Sequence, residues 1–250
     1  MMATKFIPAD KDAFYSKENM EHLESVIGKY EMSKFEQLAD MIMFQGIEKE
    51  NIGLLLGCLG SYPKTYEKGE YIAFENDAIK NIGFVIRGSV HMVKEDVWGN
   101  TTILARMTRG HLFGESFACG SDETSTVVFL AAENVEVLWI PFDRVMSTCC
   151  NSCAFHQQII KNMVIMLSNK NQALMEKIEV VSKKSLREKI LSYLSQEAQK
   201  HGSKYFEIPL GRIELADYLC TDRSALTREL GKMRAEGLID YDKNVFRICE

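Results

Sequence analysis

At 250 residues, of which 46% are apolar, the chain is long for one compact core and has enough material for two modest domains. Its formal net charge of −5 argues against a protein that coats nucleic acid without sequence preference. The charge is unevenly distributed, since residues 1–182 carry 17 Lys and Arg against 24 Asp and Glu, whereas residues 183–250 carry 13 against 11. The acidic excess therefore lies outside the C-terminal segment.

Cysteine usage and the distribution of apolar residues indicate where the protein resides. Seven cysteines, an odd number without the spacing of a small secreted domain, indicate a reducing compartment and no structural disulfides. The N-terminus lacks the apolar core of a secretion signal, and no stretch approaches the roughly twenty apolar residues of a membrane-spanning helix. We therefore expect a cytoplasmic protein with no membrane partner.

Within the first 141 residues, the sequence pattern changes from one that predicts helices to one that predicts β-strands. Residues 1–35 form an N-terminal extension of unknown role, within which residues 19–30 allow a helix, and short helices are expected over residues 38–59, ending near Gly60. Short runs rich in Ile, Val, Phe, Tyr and Thr follow, separated by glycines, and are typical of a small antiparallel sandwich or barrel. The predicted strands are residues 71–74, 82–86, 90–93, 101–105, 127–131 and 135–140. Trp98, Gly99 and Asn100 are predicted to form a hairpin tip, because Gly and Asn tolerate a positive φ.

Residues 155–181 are predicted to form one long helix, because they contain neither Pro nor Gly. Apolar residues recur in it at alternating spacings of four and three, which is the seam of a coiled coil. The seam residues are Ile160, Val164, Leu167, Asn171, Leu174, Ile178 and Val181. The single polar member, Asn171, favours a parallel homodimer, since a lone seam Asn fixes register and strand number. The alternative is that this stripe packs on its own domain.

The remaining C-terminal residues have the pattern of a winged helix-turn-helix. Residues 182–184 are interpreted as a hinge, followed by an amphipathic helix over residues 185–200 that ends at Gly202. The predicted apolar face of this helix consists of Leu186, Ile190, Leu191 and Leu194. A strand over residues 205–208 and a two-turn helix over residues 212–219 lead to a tight connection at Cys220 and Thr221.

The second helix of this unit, over residues 223–236, has the features of a recognition helix. Asp222 suits its N-cap, Leu226, Leu230 and Met233 are predicted to be buried, and Gly237 precedes a wing formed by residues 238–249. A recognition helix must fit the major groove with polar residues near its N-terminus facing base edges. The predicted DNA contacts are Arg223 on base edges and Arg228 on phosphate, together with Ser224, Thr227, Arg212 and Lys232. The alternative is an ordinary solvated helix face.

Four motifs, in this order, resemble the Crp/Fnr family of bacterial regulators over residues 36–250. They are KGEYI at residues 68–72, IRGSVHMV at 86–93, GHLFGES at 110–116 and LADYLCTDRSALTREL at 215–230. The resemblance implies an α+β fold with a cyclic-nucleotide-binding-like β-barrel (a double-stranded β-helix or jelly roll) at residues 36–150, a dimerisation helix and hinge at 151–182, and the winged helix-turn-helix at 183–250. It also implies an allosterically controlled homodimeric transcription regulator that binds pseudo-palindromic double-stranded DNA and contacts RNA polymerase.

The resemblance places an effector pocket in the barrel, where Gly114 and Glu115 match the phosphate-binding cassette of members that bind cyclic AMP. The predicted pocket residues are Gly114, Glu115, Ser116, Ser125 and Thr126, with Asn171 and Gln172 of the long helix as lid contacts. The cassette Arg is missing, because residues 123–126 are Glu, Thr, Ser and Thr. A buried phosphate without a cation is costly, so we predict an unknown small-molecule effector other than cyclic AMP. The alternative is a barrel turn with no ligand.

Those members also place an Arg, a Glu and an Arg where this chain has Arg223, Ser224 and Arg228. Because Ser224 replaces an acid, the operator sequence does not follow from that of the relatives.

A cysteine cluster offers a rival sensor. Cys149, Cys150, Cys153 and His156 have spacings that suit a metal or an iron–sulfur cluster, with Cys119 as a fourth ligand, and Cys150 with Cys153 suits a redox switch. The alternative is that these cysteines are ordinary buried thiols without a functional role. In addition, the iron–sulfur branch of the family uses a group of cysteines near the N-terminus that this chain lacks. We therefore predict no certain cofactor and no metal.

Two other readings are weaker. Haem ligation by His91, His111 or His156 is disfavoured because each is an isolated imidazole. A metal-dependent β-barrel enzyme of the cupin kind would need clustered His and carboxylate ligands, so we expect the protein not to be an enzyme.

Overall fold

The computed structural model describes residues 32–99, 101–146 and 154–249. The predictions made for residues 1–31, for Asn100 and for Cys149, Cys150 and Cys153 lie outside the described residues. The chain folds as two compact units, of which the first ends at Met166 and the second begins at Leu167.

The first unit begins with the short helices that the sequence predicted over residues 38–59. They are α1 (Met32–Ala39), a 3-10 helix (Ile42–Phe44) and α2 (Lys49–Cys58). The segment ends at Gly60, as predicted, where the backbone takes a φ of +61° that glycine adopts without strain.

Two four-stranded antiparallel sheets follow, in the strand orders β1-β8-β3-β6 and β2-β7-β4-β5. The strands are β1 (Tyr62–Tyr66), β2 (Tyr71–Ala73), β3 (Asn81–Arg87), β4 (Ser89–Glu95), β5 (Thr101–Thr108), β6 (Leu112–Phe113), β7 (Val128–Ala131) and β8 (Val135–Pro141). All six predicted strands are present, but the sequence did not predict β1 and β6. The first contains Pro63, which is tolerated because β1 lies at a sheet edge, and the second is only two residues long.

Aromatic rings from both sheets meet in the core of the first unit. The ring centroid of Phe113 on β6 lies 5.2 Å from that of Phe129 on β7 and 5.4 Å from that of Trp139 on β8. Gly83 on β3 is required here, because a Cβ at this position would collide with the Phe113 ring. The indole N–H of Trp139 donates to the Tyr66 hydroxyl at 3.0 Å, so its polar atom is satisfied in the buried interior.

Three helices interrupt or follow the sheets: α3 (Glu115–Ala118), α4 (Phe142–Met146) and α5 (Ala154–Val181). The predicted long helix is confirmed as α5. Its first half is held by Asn162, which is 3% exposed and donates to the backbone carbonyls of Met43 at 2.9 Å and Gln45 at 2.8 Å. Ile159 and Met163 on the same side pack into the core of the first unit.

The coiled-coil seam of α5 is largely uncovered in the single chain. Val164, Leu174 and Ile178 are 56%, 52% and 60% exposed. Only the first seam residue, Ile160, packs against the β-sheet core, so packing on its own domain does not account for the stripe. The homodimer stays a prediction.

The second unit contains the last turns of α5, three helices and a small sheet of order β10-β11-β9. These elements are α6 (Leu186–His201), β9 (Tyr205–Glu207), α7 (Arg212–Tyr218), α8 (Arg223–Ala235), β10 (Ile239–Asp242) and β11 (Val245–Ile248). Their order is that of the predicted winged helix-turn-helix. Ser185 caps α6 through a reciprocal pair of hydrogen bonds with Glu188, and Gly202 ends it with a φ of +59°.

One prediction for α6 was wrong. Leu191 was assigned to the buried face but is 37% exposed, whereas Tyr193 is only 4% exposed. With 3.6 residues per turn, Ile190, Tyr193, Leu194 and Glu197 line one face, and Leu191 falls on its flank.

Candidate DNA-binding surface and effector site

The entry to α8 is fixed by the turn before it and by its N-cap. Cys220 lies in the left-handed region with a φ of +52°, which turns the chain sharply between α7 and α8. Asp222 Oδ1 accepts hydrogen bonds from the Ser224 hydroxyl at 2.5 Å and the Ala225 N–H at 2.8 Å. These two donors hold the pKa of the Asp222 carboxyl below its usual range. The predicted N-cap is confirmed, and α8 begins at Arg223.

One side of α8 is buried and the other faces solvent. Leu226, Leu230 and Met233 are all 0% exposed, as predicted from the spacing. Near its N-terminus lie the four exposed residues that we call the recognition face: Arg223, Ser224, Thr227 and Arg228. The helix therefore presents two guanidinium groups and two hydroxyls together within its first two turns.

Both hydroxyls of the recognition face use their protons inside the protein. A carboxylate and a carbonyl can only accept, so Ser224 donates to Asp222 and Thr227 Oγ1 donates to the Arg223 carbonyl at 2.8 Å. What each hydroxyl offers to solvent is therefore its oxygen lone pairs. Arg228 Nε donates to the Ser224 carbonyl at 3.3 Å, which uses one of its five N–H groups.

The other two predicted DNA contacts differ in their surroundings. The Arg212 guanidinium lies 5.0 Å from the Tyr241 ring and 5.1 Å from the Phe246 ring, and its Nη2 donates to the Lys243 carbonyl at 2.7 Å. Burial lowers the pKa of Arg212. Arg212 thus stabilises the turn of the wing through the Lys243 carbonyl. By contrast, the Lys232 side chain is 67% exposed.

Sequence reasoning missed Arg187, which ties α6 to α8. Its Nε donates to Glu229 at 2.7 Å, and its two terminal nitrogens donate to the two oxygens of Glu236 at 2.6 and 2.8 Å. The hydrogen bonds to Glu236 and then to Glu229 raise the pKa of Arg187, and the same arginine lowers the pKa of Glu236. No local pattern signals this contact, because the partners lie 42 and 49 residues further along the chain.

In the first unit, the predicted cassette begins at the turn between β6 and α3. Gly114 has a φ of +76° and forms the N-cap of α3. Glu115 is 3% exposed and accepts a hydrogen bond from the Ser116 hydroxyl at 3.2 Å. The structure thus places these three predicted residues together, with the carboxylate of Glu115 facing inward.

The second half of the predicted pocket is held by backbone pairing. Ser125 is 0% exposed and exchanges backbone hydrogen bonds with Asn76 and Asp77, and its hydroxyl donates to the Val127 carbonyl at 2.7 Å. Thr126 is exposed. Its carbonyl accepts from Lys94 Nζ at 2.8 Å, a residue that sequence reasoning missed because it belongs to the neighbouring strand β4. Lys94 is paired with Glu75 at 2.5 Å, so its charge is already matched.

The two predicted lid residues, Asn171 and Gln172, lie exposed on α5. Their role in effector binding stays a prediction.

Two family models match the two halves of the chain. The cyclic nucleotide-binding domain model matches residues 63–151, and the Crp-like helix-turn-helix domain model matches residues 188–250. The chain belongs to the Crp/Fnr family of transcription regulators. The cassette turn at Gly114 and the recognition face lie within the two matched ranges.

Individual relatives of this Crp/Fnr regulator are distant. Electron transport regulator A of Shewanella oneidensis is 24% identical over 182 residues, covering 71% of this chain and 70% of the relative. The structure of the c-di-GMP-responsive regulator CLP of Xanthomonas campestris gives a TM-score of 0.55 at 18% identity and covers 81% of this chain and 100% of that one. That of CprK complexed with OCPA gives 0.55 at 12% identity, covering 76% and 86%. At these identities the structures show a shared fold.

The comparisons and the described residues also bear on the rival classes. The matched families and relatives are transcription regulators rather than enzymes. Within residues 32–99, 101–146 and 154–249, no three His, Cys, Asp or Glu side chains are grouped to hold a metal ion, and no helix is long and apolar enough to cross a bilayer.

Each of the three histidines considered for haem makes a polar contact within the protein. Arg106 Nε donates to His91 Nε2 at 3.1 Å, and burial, with Arg106, lowers the pKa of His91. His111 Nδ1 lies 3.0 Å from the Thr108 hydroxyl, and His156 is 6% exposed.

Proposed function

We propose that this regulator is a homodimer that reads a pseudo-palindromic operator with α8 and answers to a small effector, other than cyclic AMP, bound in its β-sheet domain. The observation that carries the proposal is the recognition face. It places two arginines and two hydroxyl acceptors, all exposed, in the first two turns of a helix that buries Leu226, Leu230 and Met233. Helices of this design enter the major groove with their N-terminal residues at base edges.

The hydrogen bonds within α8 support a specific pattern of base preference. Arg223 has the geometry to donate in pairs to guanine O6 and N7. Because the Ser224 and Thr227 hydroxyls already donate hydrogen bonds within the protein, they would meet DNA as hydrogen-bond acceptors. Acceptors suit the amino groups of adenine N6 and cytosine N4 and disfavour the keto groups of guanine and thymine. We therefore expect an adenine or cytosine opposite Ser224, with exchange between those two tolerated best.

A symmetric dimer fits both the exposed seam and a palindromic site. Two copies joined along α5 would cover Val164, Leu174 and Ile178 and would supply two α8 helices to successive major grooves, about 34 Å apart. Binding of effector then shifts an equilibrium between two states of the dimer, and by reciprocity DNA changes effector affinity by the same factor. Contact with RNA polymerase is part of this proposal.

The charges around the cassette support an effector other than cyclic AMP. The basic side chain beside Thr126 is Lys94, which is already paired with Glu75 and hydrogen-bonded to the Thr126 carbonyl. A buried phosphate would have to displace Glu75 to gain a partner, at a cost in desolvation. The related regulator CLP is c-di-GMP-responsive and the related CprK structure is complexed with OCPA, so the shared fold does not fix the effector.

The test begins with selection of bound sequences from a random duplex pool, followed by fluorescence anisotropy on the best operator and on single-base variants. Arg223→Ala should lower discrimination at one guanine by about 1–3 kcal/mol, which is roughly 5- to 150-fold. Arg234→Ala is the matched control, since it removes the same charge from a residue of α8 that is ion-paired to Asp240 at 2.9 Å. An Arg223 variant with an unchanged specificity ratio would contradict the assignment.

The effector is tested by calorimetry with the full chain. Cyclic AMP should give no signal at micromolar affinity, because the cassette lacks an unpaired cation. A micromolar or tighter heat signal with cyclic AMP would overturn this part of the proposal.

A further inference from the structure

A thiol and an imidazole meet where the end of α2 contacts the start of α5. Cys58 is the last residue of α2, is half-buried and is not in a disulfide. His156 lies in the first turn of α5, three residues into the helix, and is 6% exposed. Cys58 Sγ lies 3.9 Å from His156 Nδ1, within hydrogen-bonding distance for sulfur.

The surroundings of His156 decide which of its nitrogens faces the thiol as an acceptor. Nε2 lies 3.3 Å from the Arg144 carbonyl oxygen in α4. A carbonyl oxygen can only accept, so Nε2 carries a proton, and the tautomer that this fixes has its lone pair on Nδ1. The Cys58 S–H is therefore the donor and Nδ1 is the acceptor. This is the arrangement in which an imidazole acts as base toward a nucleophile.

We propose that Cys58 is a peroxide-reactive thiol activated by His156, a modification site separate from both the nucleotide cassette and the recognition face. His156 Nδ1 takes the thiol proton as Cys58 Sγ attacks one oxygen of a hydroperoxide, ROOH. The S–O bond forms and the O–O bond breaks, and the departing RO⁻ takes the proton from His156 to leave as ROH. The products are a sulfenic acid at Cys58 and an alcohol, or water from hydrogen peroxide, so sulfur is oxidised as the peroxide is reduced.

The site is positioned where oxidation has a structural consequence. Oxidation replaces the S–H that lies against His156 with a larger S–OH group, so it changes the contact between the last residue of α2 and a side chain in the first turn of α5 that is 6% exposed. Because α5 carries the exposed seam, a change at its first turns reaches the element that we propose joins the dimer.

Two other cysteines serve as internal references for reactivity. Cys119 is exposed, but burial of its thiol and then the charge of Glu115 raise the pKa of Cys119, which disfavours the reactive thiolate. Cys220 is also exposed and lies at the helix-turn-helix connection. Accessibility alone therefore predicts that Cys220 reacts fastest, whereas activation by His156 predicts that half-buried Cys58 does.

The experiment treats the reduced full chain with a limiting amount of hydrogen peroxide in the presence of a cyclic 1,3-diketone that traps sulfenic acid. Peptide mass mapping then gives the labelling rate at each cysteine. Cys58 should be trapped at least about tenfold faster than Cys220. His156→Gln should bring Cys58 down to the rate of Cys220 or below it, whereas the control His111→Gln, at an exposed histidine, should leave the Cys58 rate unchanged.

The decisive measurement uses the unmodified chain and so does not depend on a variant that folds. Labelling of Cys58 no faster than that of Cys220, or labelling concentrated on Cys149, Cys150 or Cys153, would overturn the proposal. So would a stoichiometric metal in the purified chain that is lost in Cys58→Ser, since the thiol would then be a ligand. The readout involves no DNA, so its failure leaves the proposed function standing, and failure of operator binding leaves the thiol chemistry standing.

Discussion

The exposed seam of α5 predicts how strongly the dimer depends on two side chains. Leu174 and Ile178 are 52% and 60% exposed in the single chain, so about half of each remains to be covered by a partner. Complete burial of such a side chain contributes about 1.5–3 kcal/mol, which makes the remaining half worth roughly 1 kcal/mol. A symmetric dimer buries each residue twice. The double substitution Leu174→Ala with Ile178→Ala should therefore weaken dimerisation by roughly 4 kcal/mol, or about a thousandfold in the dissociation constant.

Sedimentation equilibrium over a concentration series measures this constant directly. The matched control is Ile213→Ala, because Ile213 on α7 is 61% exposed but lies outside the seam. Its removal should leave the dimer dissociation constant unchanged. If the double variant and the control dimerise equally well, or if the native chain does not dimerise, the seam is not the interface and the palindromic operator loses its structural basis.

Three further substitutions test single contacts. Asp222→Ala removes the N-cap of α8 and should lower the free energy of unfolding by about 1 kcal/mol, whereas Asp222→Asn, which keeps an oxygen acceptor, should cost less in the same urea titration. Asn162→Ala leaves the backbone carbonyl of buried Met43 without its Asn162 donor, while the Gln45 carbonyl keeps the hydrogen bond from Gln158 Nε2 at 3.2 Å, and should destabilise the first unit by about 1–3 kcal/mol in thermal unfolding; an unchanged melting profile would contradict this. Because Arg187 lowers the pKa of Glu236, the stability from that pair is present above the unfolded-state pKa of about 4.3 and is lost as pH falls through the lower folded-state pKa. Glu236→Gln should remove this part of the acid loss in a pH series, and an identical acid profile would refute it.

Periodicity predicted those parts of the fold whose apolar pattern is set by one burial requirement. The buried face of α8 follows a spacing of 3.6 residues and was predicted, and six of the eight strands described in the first unit were predicted from runs rich in β-branched and aromatic residues between glycines. The strand β6 was not, since two residues carry no period, and its place is set by pairing with β3. Leu191 was assigned to the wrong face for a similar reason. It is apolar and follows buried Ile190, but its composition does not indicate that Tyr193, rather than Leu191, is the buried residue.

The candidate sites divide in the same way. The recognition face could be predicted because its residues are close together on one helix, and the Asp222 cap could be predicted because capping is local. Lys94 and Arg187 could not be predicted, since each acts on a residue more than thirty positions away and depends on how strands and helices are arranged. The contact of Cys58 with His156 spans 98 residues, so the sequence pointed only to the cysteines adjacent to that histidine.

Three faces of α5 show why dimerisation is the reading that best accounts for its sequence. Ile159 and Met163 lie in the core of the first unit, and Val180 lies in the core of the second. If packing into these two cores were the only role of the apolar residues of α5, the remaining positions of the helix would be polar. Instead the stripe that includes Val164 and Ile178 is apolar and more than half exposed. Apart from Ile160, which packs against the first core, neither core covers this stripe at coiled-coil spacing, so we expect a second copy of the same helix to cover it. A second copy related by two-fold symmetry also supplies the second α8 that a palindromic operator requires.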